Sequence, residues 1–176
     1  AMETLAVGAR RSEGTVIVST RDTAPRVREA FARLVDDGTD IAVVDAVTEH
    51  LGQSCDAEMT KYAASPRDMS DIGVKFSEFI QQFYTDQQRE RNRVLVDSLT
   101  TLLLYSNLQT VFRFLHVFTS RVESVDGLGL YTIESTAHDA QALSTLDQLF
   151  DATIDVETDG TATLTLPDAE TRTATF

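Results

Sequence analysis

The sequence predicts an α/β fold of three layers, in which a mostly parallel sheet lies between helices and a β-hairpin follows at the carboxyl end. Three observations lead to this class. Four short apolar runs recur along the chain, segments with helical periodicity separate them, and an alternating pattern follows the last helical segment. With 176 residues, the chain is expected to form one domain over 1–176.

The four predicted strands are almost continuously apolar, which is typical of parallel strands that are covered on both faces. They span 15–20, 41–47, 93–98 and 128–135. Residues 4–9 are expected to form a short helix. A strand there would lie only five residues before the next one, and a parallel crossover needs about a dozen residues or more.

The helices are predicted from periodicity and from their boundary signals. Pro25 opens the first of the later helices, and 36–38 (Asp-Asp-Gly) would end it. The next begins near Pro66 and runs to about 87, and two more cover about 108–122 and 139–150. Asp159 and Gly160 form the predicted hairpin turn. Residues 50–64 have no clear period and are expected to form a long surface loop.

The charge balance argues against nucleic acid as a partner. The chain has 28 acidic and 15 basic residues, for a formal net charge of −13, whereas binding to phosphate backbones needs a basic face. Thirteen of the cations are arginine and only two are lysine, a composition that suggests adaptation to high salt, where screening suppresses self-repulsion.

Cysteine content and hydropathy exclude several kinds of structure, namely a disulfide, a CxxC site and a membrane helix. Cys55 is the single cysteine, which excludes an internal disulfide and any CxxC zinc or redox site. No apolar run exceeds four residues, whereas a membrane helix needs about 20. A cytoplasmic protein without a membrane partner is therefore expected.

The segment 93–100 (RVLVDSLT) is the most informative for chemistry. An apolar strand ends there in Asp97, followed by the hydroxyl residues Ser98 and Thr100. This pattern resembles a Walker B strand. With the segments 108–126, 127–135 and 137–151 and the hairpin, it resembles the second half of RecA-superfamily domains of the KaiC type, in particular haloarchaeal KaiC-like proteins, some of them transducer-like regulators. The likeness covers most of 15–165.

The resemblance implies roles for several residues. Asp97 would hold a metal ion, with Ser98 and Thr100 in supporting roles for nucleotide binding. KaiC-type ATPases are expected to carry two acids after the second strand, and the segment 20–25 (TRDTAP) offers only Asp22. Asp22 and Asp97 are therefore the residual catalytic candidates.

The phosphate-binding loop expected of this superfamily is not found within these 176 residues. Such a loop needs Gly-x-x-x-x-Gly-Lys-Ser/Thr, and neither Lys61 nor Lys75 follows a glycine. The resemblance places the strand that carries this loop between 93–98 and 128–135. Without it, these two strands are expected to pair directly, or a second copy of the chain would cover the exposed edge.

Two functions follow as hypotheses. The first is a non-catalytic or degenerate KaiC/RecA-like domain that acts in regulation or signalling through protein contacts, as a homo-oligomer with an unknown protein partner and without a cofactor. The alternative is an NTP-binding or ATPase domain that uses ATP and Mg²⁺ and receives its phosphate loop from a partner chain or from an N-terminal extension.

Overall fold

A computed structural model describes residues 1–35, 41–54, 56–85, 89, 91–166 and 172–175. The chain divides into two compact units, Ala1–Glu134 and Ser135–Phe176. The predicted helix end at 36–38, the position near 87 and Cys55 lie outside the described residues. The expectation of one domain over 1–176 stays a prediction.

The first unit is built on a five-stranded sheet in the order β3-β2-β1-β4-β5, and every neighbouring pair is parallel. The strands are β1 Gly14–Ser19, β2 Ala42–Asp45, β3 Thr60–Tyr62, β4 Asn92–Asp97 and β5 Gly127–Tyr131. All residues of β1 and β2 are buried. The predicted parallel sheet is thus confirmed. Its strands read as continuous apolar runs in the sequence because they are covered on both faces.

Helices cover both faces of this sheet. They are α1 Met2–Ala9, α2 Ala24–Ala32, α3 Met69–Thr85, α4 Leu99–Tyr105 and α5 Leu108–Glu123. Leu5 of α1 and Phe31 of α2 share one buried cluster with Ile17, Val43 and Leu95 of the sheet. α3 and α5 meet through Phe76 and Phe118, whose ring centroids are 4.4 Å apart, and Phe118 also contacts Tyr131 of β5. The predicted three-layer arrangement is confirmed.

The N-terminal segment forms a helix, as predicted. Arg93 anchors it, because its Nη1 donates to the carbonyl oxygen of Thr4 at 2.6 Å and its Nε lies 2.5 Å from Oε2 of Glu13. The two side chains of this ion pair are only 13% and 12% exposed. Solvent therefore screens the pair less than it screens a surface ion pair.

The prediction of direct pairing between the two strands is also confirmed. β4 pairs with β5 in parallel over five register positions, from Asn92 opposite Gly127 to Val96 opposite Tyr131. β5 ends at Tyr131, so the predicted strand 128–135 extends too far. The chain leaves the sheet after this strand, and a 3₁₀ turn follows at Ser135–Ala137.

Two elements of the first unit are absent from the sequence-based prediction. The predicted loop 50–64 contains β3, whose three residues are too few to show a period. Arg28 fixes this strand, since its Nη2 donates to the carbonyl oxygen of Met59 and to Oγ1 of Thr60, both at 2.9 Å. The second element is α4, which contains the apolar run 102–105 and begins after a capping serine, Ser98.

The second unit contains α6 Ala140–Asp147 and the antiparallel strands β6 Thr153–Val156, β7 Thr161–Thr165 and β8 Arg172–Thr175. The predicted hairpin is confirmed as β6 and β7, with Gly160 at φ 86° in the turn, a conformation that glycine adopts at little cost. A backbone hydrogen bond from Thr161 lowers the pKa of Asp159 in the same turn. The third strand, β8, is not part of the prediction.

Candidate functional site

The strand order places a candidate site between the carboxyl ends of β1 and β4. The chain passes from β1 to β2 on one side of β1, and β4 lies on the other side. The connections that follow β1 and β4 therefore lead to opposite sides of this point, which makes it the switch point of the sheet. In open parallel sheets, ligands bind outside the carboxyl ends of the strands at such a switch point. We call the region between the segments 20–23 and 97–98 the crevice.

Asp97, the last residue of β4, has a protein partner on each carboxylate oxygen. Oδ1 accepts a hydrogen bond from Oγ1 of Thr132 at 2.7 Å, and Oδ2 accepts one from Nη2 of Arg21 at 3.0 Å. The Asp97 side chain is 14% exposed. The carboxylate that the sequence predicts at the end of this strand is thus hydrogen-bonded by Thr132 and paired with the positive charge of Arg21.

Asp22 lies beside the same arginine. Nε of Arg21 is 3.3 Å from Oδ2 of Asp22, and Nη1 of Arg26 is 3.8 Å from Oδ1 of Asp22. Oγ of Ser19 donates to the backbone carbonyl of Asp22 at 2.5 Å and holds the loop after β1. The structure therefore brings the two predicted acids, Asp22 and Asp97, to one guanidinium group.

Ser98 makes structural contacts within the crevice wall. Its backbone N–H donates to Oγ1 of Thr20 at 2.8 Å, and that hydroxyl donates to the carbonyl oxygen of Ser98 at 2.9 Å. Oγ of Ser98 accepts from the N–H of Thr101 and caps α4. Through its bonds to Thr20, Ser98 joins the carboxyl ends of β1 and β4. The peptide bond between Asp97 and Ser98 is cis.

Thr100 is the second residue of α4 and is connected to a different segment. Its Oγ1 accepts a hydrogen bond from the backbone N–H of Glu134 at 2.9 Å. The backbone N–H of Leu99 donates to the carbonyl oxygen of Thr132 at 2.8 Å. These bonds attach the segment after β5 to the start of α4, and they position Thr132 against Asp97.

Asp45 shows that the same sequence pattern can serve a different purpose. Like Asp97, it ends an apolar strand, but it is fully buried and accepts hydrogen bonds from the N–H groups of Ala24, Val47 and Thr48 and from the Thr48 hydroxyl. Four donors surround this carboxylate, and none of the described cationic side chains forms an ion pair with it. Asp45 therefore holds the start of α2 and the turn after β2 in place.

Arg21 and Thr132 are the functional-site residues that sequence reasoning missed. Thr132 directly follows β5, and Arg21 lies two residues after the end of β1. The carboxyl ends of parallel strands share one edge of the sheet. That rule could have placed both beside Asp97. It could not have shown that the Arg21 side chain turns toward Asp97, because that contact joins positions 76 residues apart.

Two kinds of feature are absent from the described residues. No group of three or more His, Cys, Asp or Glu side chains there is arranged to hold a metal ion. Asp97 as a metal ligand therefore stays a prediction. Among the helices in the described ranges, none has both the length and the apolar composition that crossing a bilayer requires.

Comparisons with known proteins place the fold. Residues 1–156 match the model of a family of unknown function, DUF7504. A search of the curated proteins finds no match to this chain.

Two solved structures from Pyrococcus horikoshii are similar in fold. One is the uncharacterized protein PH0321, in complex with an unknown peptide, with a TM-score of 0.66 and 11% identity over 94% of this chain and 76% of that one. The other is the KaiC-like protein PH0186, with a TM-score of 0.60 and 14% identity over 98% of this chain and 74% of that one. The fold is KaiC-like.

Proposed function

The chain belongs to DUF7504, a family of unknown function, and we propose that it is a non-catalytic KaiC/RecA-like domain that acts in regulation or signalling through contacts with other proteins. The observation that carries this proposal is the direct pairing of β4 with β5. It leaves no room between these strands for a further strand with a phosphate-binding loop.

The two lysines of the chain add support, because each is already paired elsewhere. Nζ of Lys61 lies 2.6 Å from Oε2 of Glu78, and Nζ of Lys75 lies 2.5 Å from Oδ1 of Asp71. Triphosphate binding in this fold class relies on backbone N–H groups and a lysine at a helix N-terminus. Lys61 is in β3 and Lys75 is inside α3, so neither occupies that position.

Exposed apolar residues support a role in protein contacts. Leu104 and Tyr105 at the end of α4 are 77% and 40% exposed, and Leu51 after β2 is 59% exposed. His50 packs edge-on against Tyr105, which brings these two segments together. Exposed apolar and aromatic side chains favour protein interfaces. PH0321 was solved with a peptide, and a peptide segment of a protein partner is the kind of ligand that we propose here.

The proposal also includes a homo-oligomeric state, a cytoplasmic location and a haloarchaeal origin. Of these three, the haloarchaeal origin has support from composition, because adaptation to high salt would account for the net charge of −13 and for the excess of arginine over lysine. No nucleic-acid partner, membrane partner or cofactor is part of the proposal.

The alternative is an NTP-binding domain completed by a phosphate loop from a partner chain or from an N-terminal extension. One observation favours it: Asp97 and Asp22 lie at the switch point of the sheet, where a nucleotide would need them. In this case Arg21 would have to leave Asp97 before Asp97 could bind Mg²⁺.

The experiment that tests the proposal is a thermal melt of the chain in molar KCl with and without ATP and Mg²⁺. A ligand at 100 times its Kd stabilises the folded state by about 2.7 kcal/mol, so binding gives a clear shift in Tm. We expect no shift for the wild type or for Asp97→Ala. A shift for the wild type that Asp97→Ala abolishes would contradict the proposal, because this chain would then bind nucleotide unaided.

A further inference from the structure

The guanidinium group of Arg21 lies between two carboxylates that come from two different strand ends. Its Nη2 contacts Asp97 Oδ2 at 3.0 Å and its Nε contacts Asp22 Oδ2 at 3.3 Å. Asp97 is 14% exposed and Asp22 34%, whereas the Arg21 side chain is 61% exposed. The acids are thus the more buried partners, and the cation reaches them from the solvent side.

Without Arg21 the charges around the crevice would be unbalanced. Asp97 would keep the hydroxyl of Thr132 as its hydrogen-bond donor but would lose its cationic contact. Asp22 would keep Arg26, at the longer distance of 3.8 Å. A largely buried carboxylate that loses its cationic partner attracts another cation more strongly than an exposed carboxylate does, since solvent screens its charge less.

A divalent cation is the natural replacement for this lost charge. Mg²⁺ and Mn²⁺ bind carboxylate oxygens, and Mg²⁺ is commonly held by one or two carboxylates together with water. A tethered guanidinium competes with such an ion at a high effective concentration, because it is attached two residues after β1. Binding of a free ion would therefore require displacement of Arg21.

We propose that Arg21 is a built-in counter-ion that closes the crevice between Asp22 and Asp97 to divalent cations. This inference deepens the proposed function and rests on it in one respect, namely that no nucleotide phosphate enters the crevice to bring a metal ion with it. The closed state is a property of this chain alone, and Arg21 acts by occupying the position of the ion.

The test compares two arginines that both contact Asp22. Mn²⁺ is titrated in the absence of nucleotide, and the free ion is measured by electron paramagnetic resonance. Arg21→Gln removes the cation from Asp97, whereas the matched control Arg26→Gln removes the same charge without touching Asp97. We expect Arg21→Gln to bind Mn²⁺ about tenfold or more tightly than the wild type, within the range for contacting charges. Arg26→Gln is expected to bind like the wild type.

Two further variants assign the effect. Asp97→Asn in the Arg21→Gln background is expected to abolish the gain in affinity, and Arg21→Lys, which keeps the positive charge, is expected to bind like the wild type. Equal Mn²⁺ affinities of Arg21→Gln and Arg26→Gln would overturn the inference, as would a gain that survives Asp97→Asn. Cooperative melting of each variant serves as the folding control.

A measurement on the wild type keeps the inference testable if a variant does not fold. Submillimolar Mn²⁺ is expected to leave the backbone amide NMR signals of Asp22 and Ser98 unbroadened, and selective broadening of both would overturn the inference.

ATP binding by the wild type would contradict the proposed function without affecting the comparison of arginine variants. Equal Mn²⁺ binding by the two arginine variants would overturn this inference and leave the proposed function standing.

Discussion

Thr20 and Ser98, which are 78 positions apart, exchange two hydrogen bonds through one buried hydroxyl. Oγ1 of Thr20 accepts from the N–H of Ser98 at 2.8 Å and donates to its carbonyl oxygen at 2.9 Å. Both residues are nearly fully buried. The carboxyl ends of β1 and β4, which border the crevice, are therefore joined by a side chain as well as by the ladder of the sheet.

Replacing Thr20 with valine is expected to destabilise the protein. The substitution keeps the shape of the side chain but leaves a buried N–H and a buried carbonyl without this partner, and each such loss costs about 1–3 kcal/mol. Urea denaturation of Thr20→Val measures the loss. Thr20→Ser retains the hydroxyl and is expected to recover most of the stability. Equal midpoints for the valine variant and the wild type would contradict this role.

Asp45→Asn is expected to destabilise the fold more than Asp97→Asn. All four donors on Asp45 are buried or partly buried, and an amide group presents N–H donors where the carboxylate only accepted. Hydrogen bonds to a charged group contribute about 1.5–3 kcal/mol each, so we expect a loss of at least about that size. Chemical denaturation of the two variants side by side provides the measurement. A larger loss for Asp97→Asn would show that the structural and site acids are assigned the wrong way round.

Alkaline pH is expected to destabilise the protein through Tyr131. Burial raises the pKa of Tyr131 above its ordinary value of 10.0. A raised pKa in the folded state means that the neutral phenol stabilises the fold fully below about pH 10, the unfolded value, and that this contribution is lost as the pH rises further.

The corresponding measurement is the free energy of unfolding between neutral and strongly alkaline pH. Tyr131→Phe is expected to have a weaker pH dependence above about pH 10 than the wild type. Tyr84→Phe is the matched control, because it removes the hydroxyl of a tyrosine whose side chain is 73% exposed. If Tyr131→Phe and Tyr84→Phe gave the same profile as the wild type, Tyr131 would not be the group responsible.

Salt is expected to raise the melting temperature. A net charge of −13 opposes compaction, and the Debye length falls from about 10 Å at 0.1 M to about 3 Å at 1 M salt. Melting curves in increasing KCl test this expectation. A Tm that does not change with salt would contradict the electrostatic argument.

The Arg93–Glu13 pair is mostly buried, so Arg93→Met is expected to destabilise the protein at every salt concentration.

Much of the fold could be predicted from the sequence because its strands are long enough to show a pattern. The apolar runs of β1, β2 and β4 predict a buried parallel sheet, and the short spacing before β1 predicts a helix at the N-terminus. β3 could not be predicted in this way. Its three residues carry no period, and a contact from Arg28, 32 positions away from Thr60, fixes it.

The candidate site could be predicted only in part. Asp97 ends an apolar strand, and the roles of Asp97 and Asp22 are implied by the resemblance to KaiC-type ATPases. The same strand-end pattern at Asp45 produces a wholly structural carboxylate. What separates Asp45 from Asp97 is the set of donors around each group. Those donors come from residues distant in sequence, such as Arg21 and Thr132 for Asp97, so local pattern alone does not reveal them.

Equilibrium dialysis of the wild-type chain against radiolabelled ATP with Mg²⁺ in molar KCl measures whether this chain binds nucleotide unaided. We expect no retention of nucleotide above that of the Asp97→Ala variant, because β4 and β5 pair directly and Arg21 and Thr132 already occupy the Asp97 carboxylate. Saturable retention by the wild-type chain alone, lost on Asp97→Ala, would contradict it.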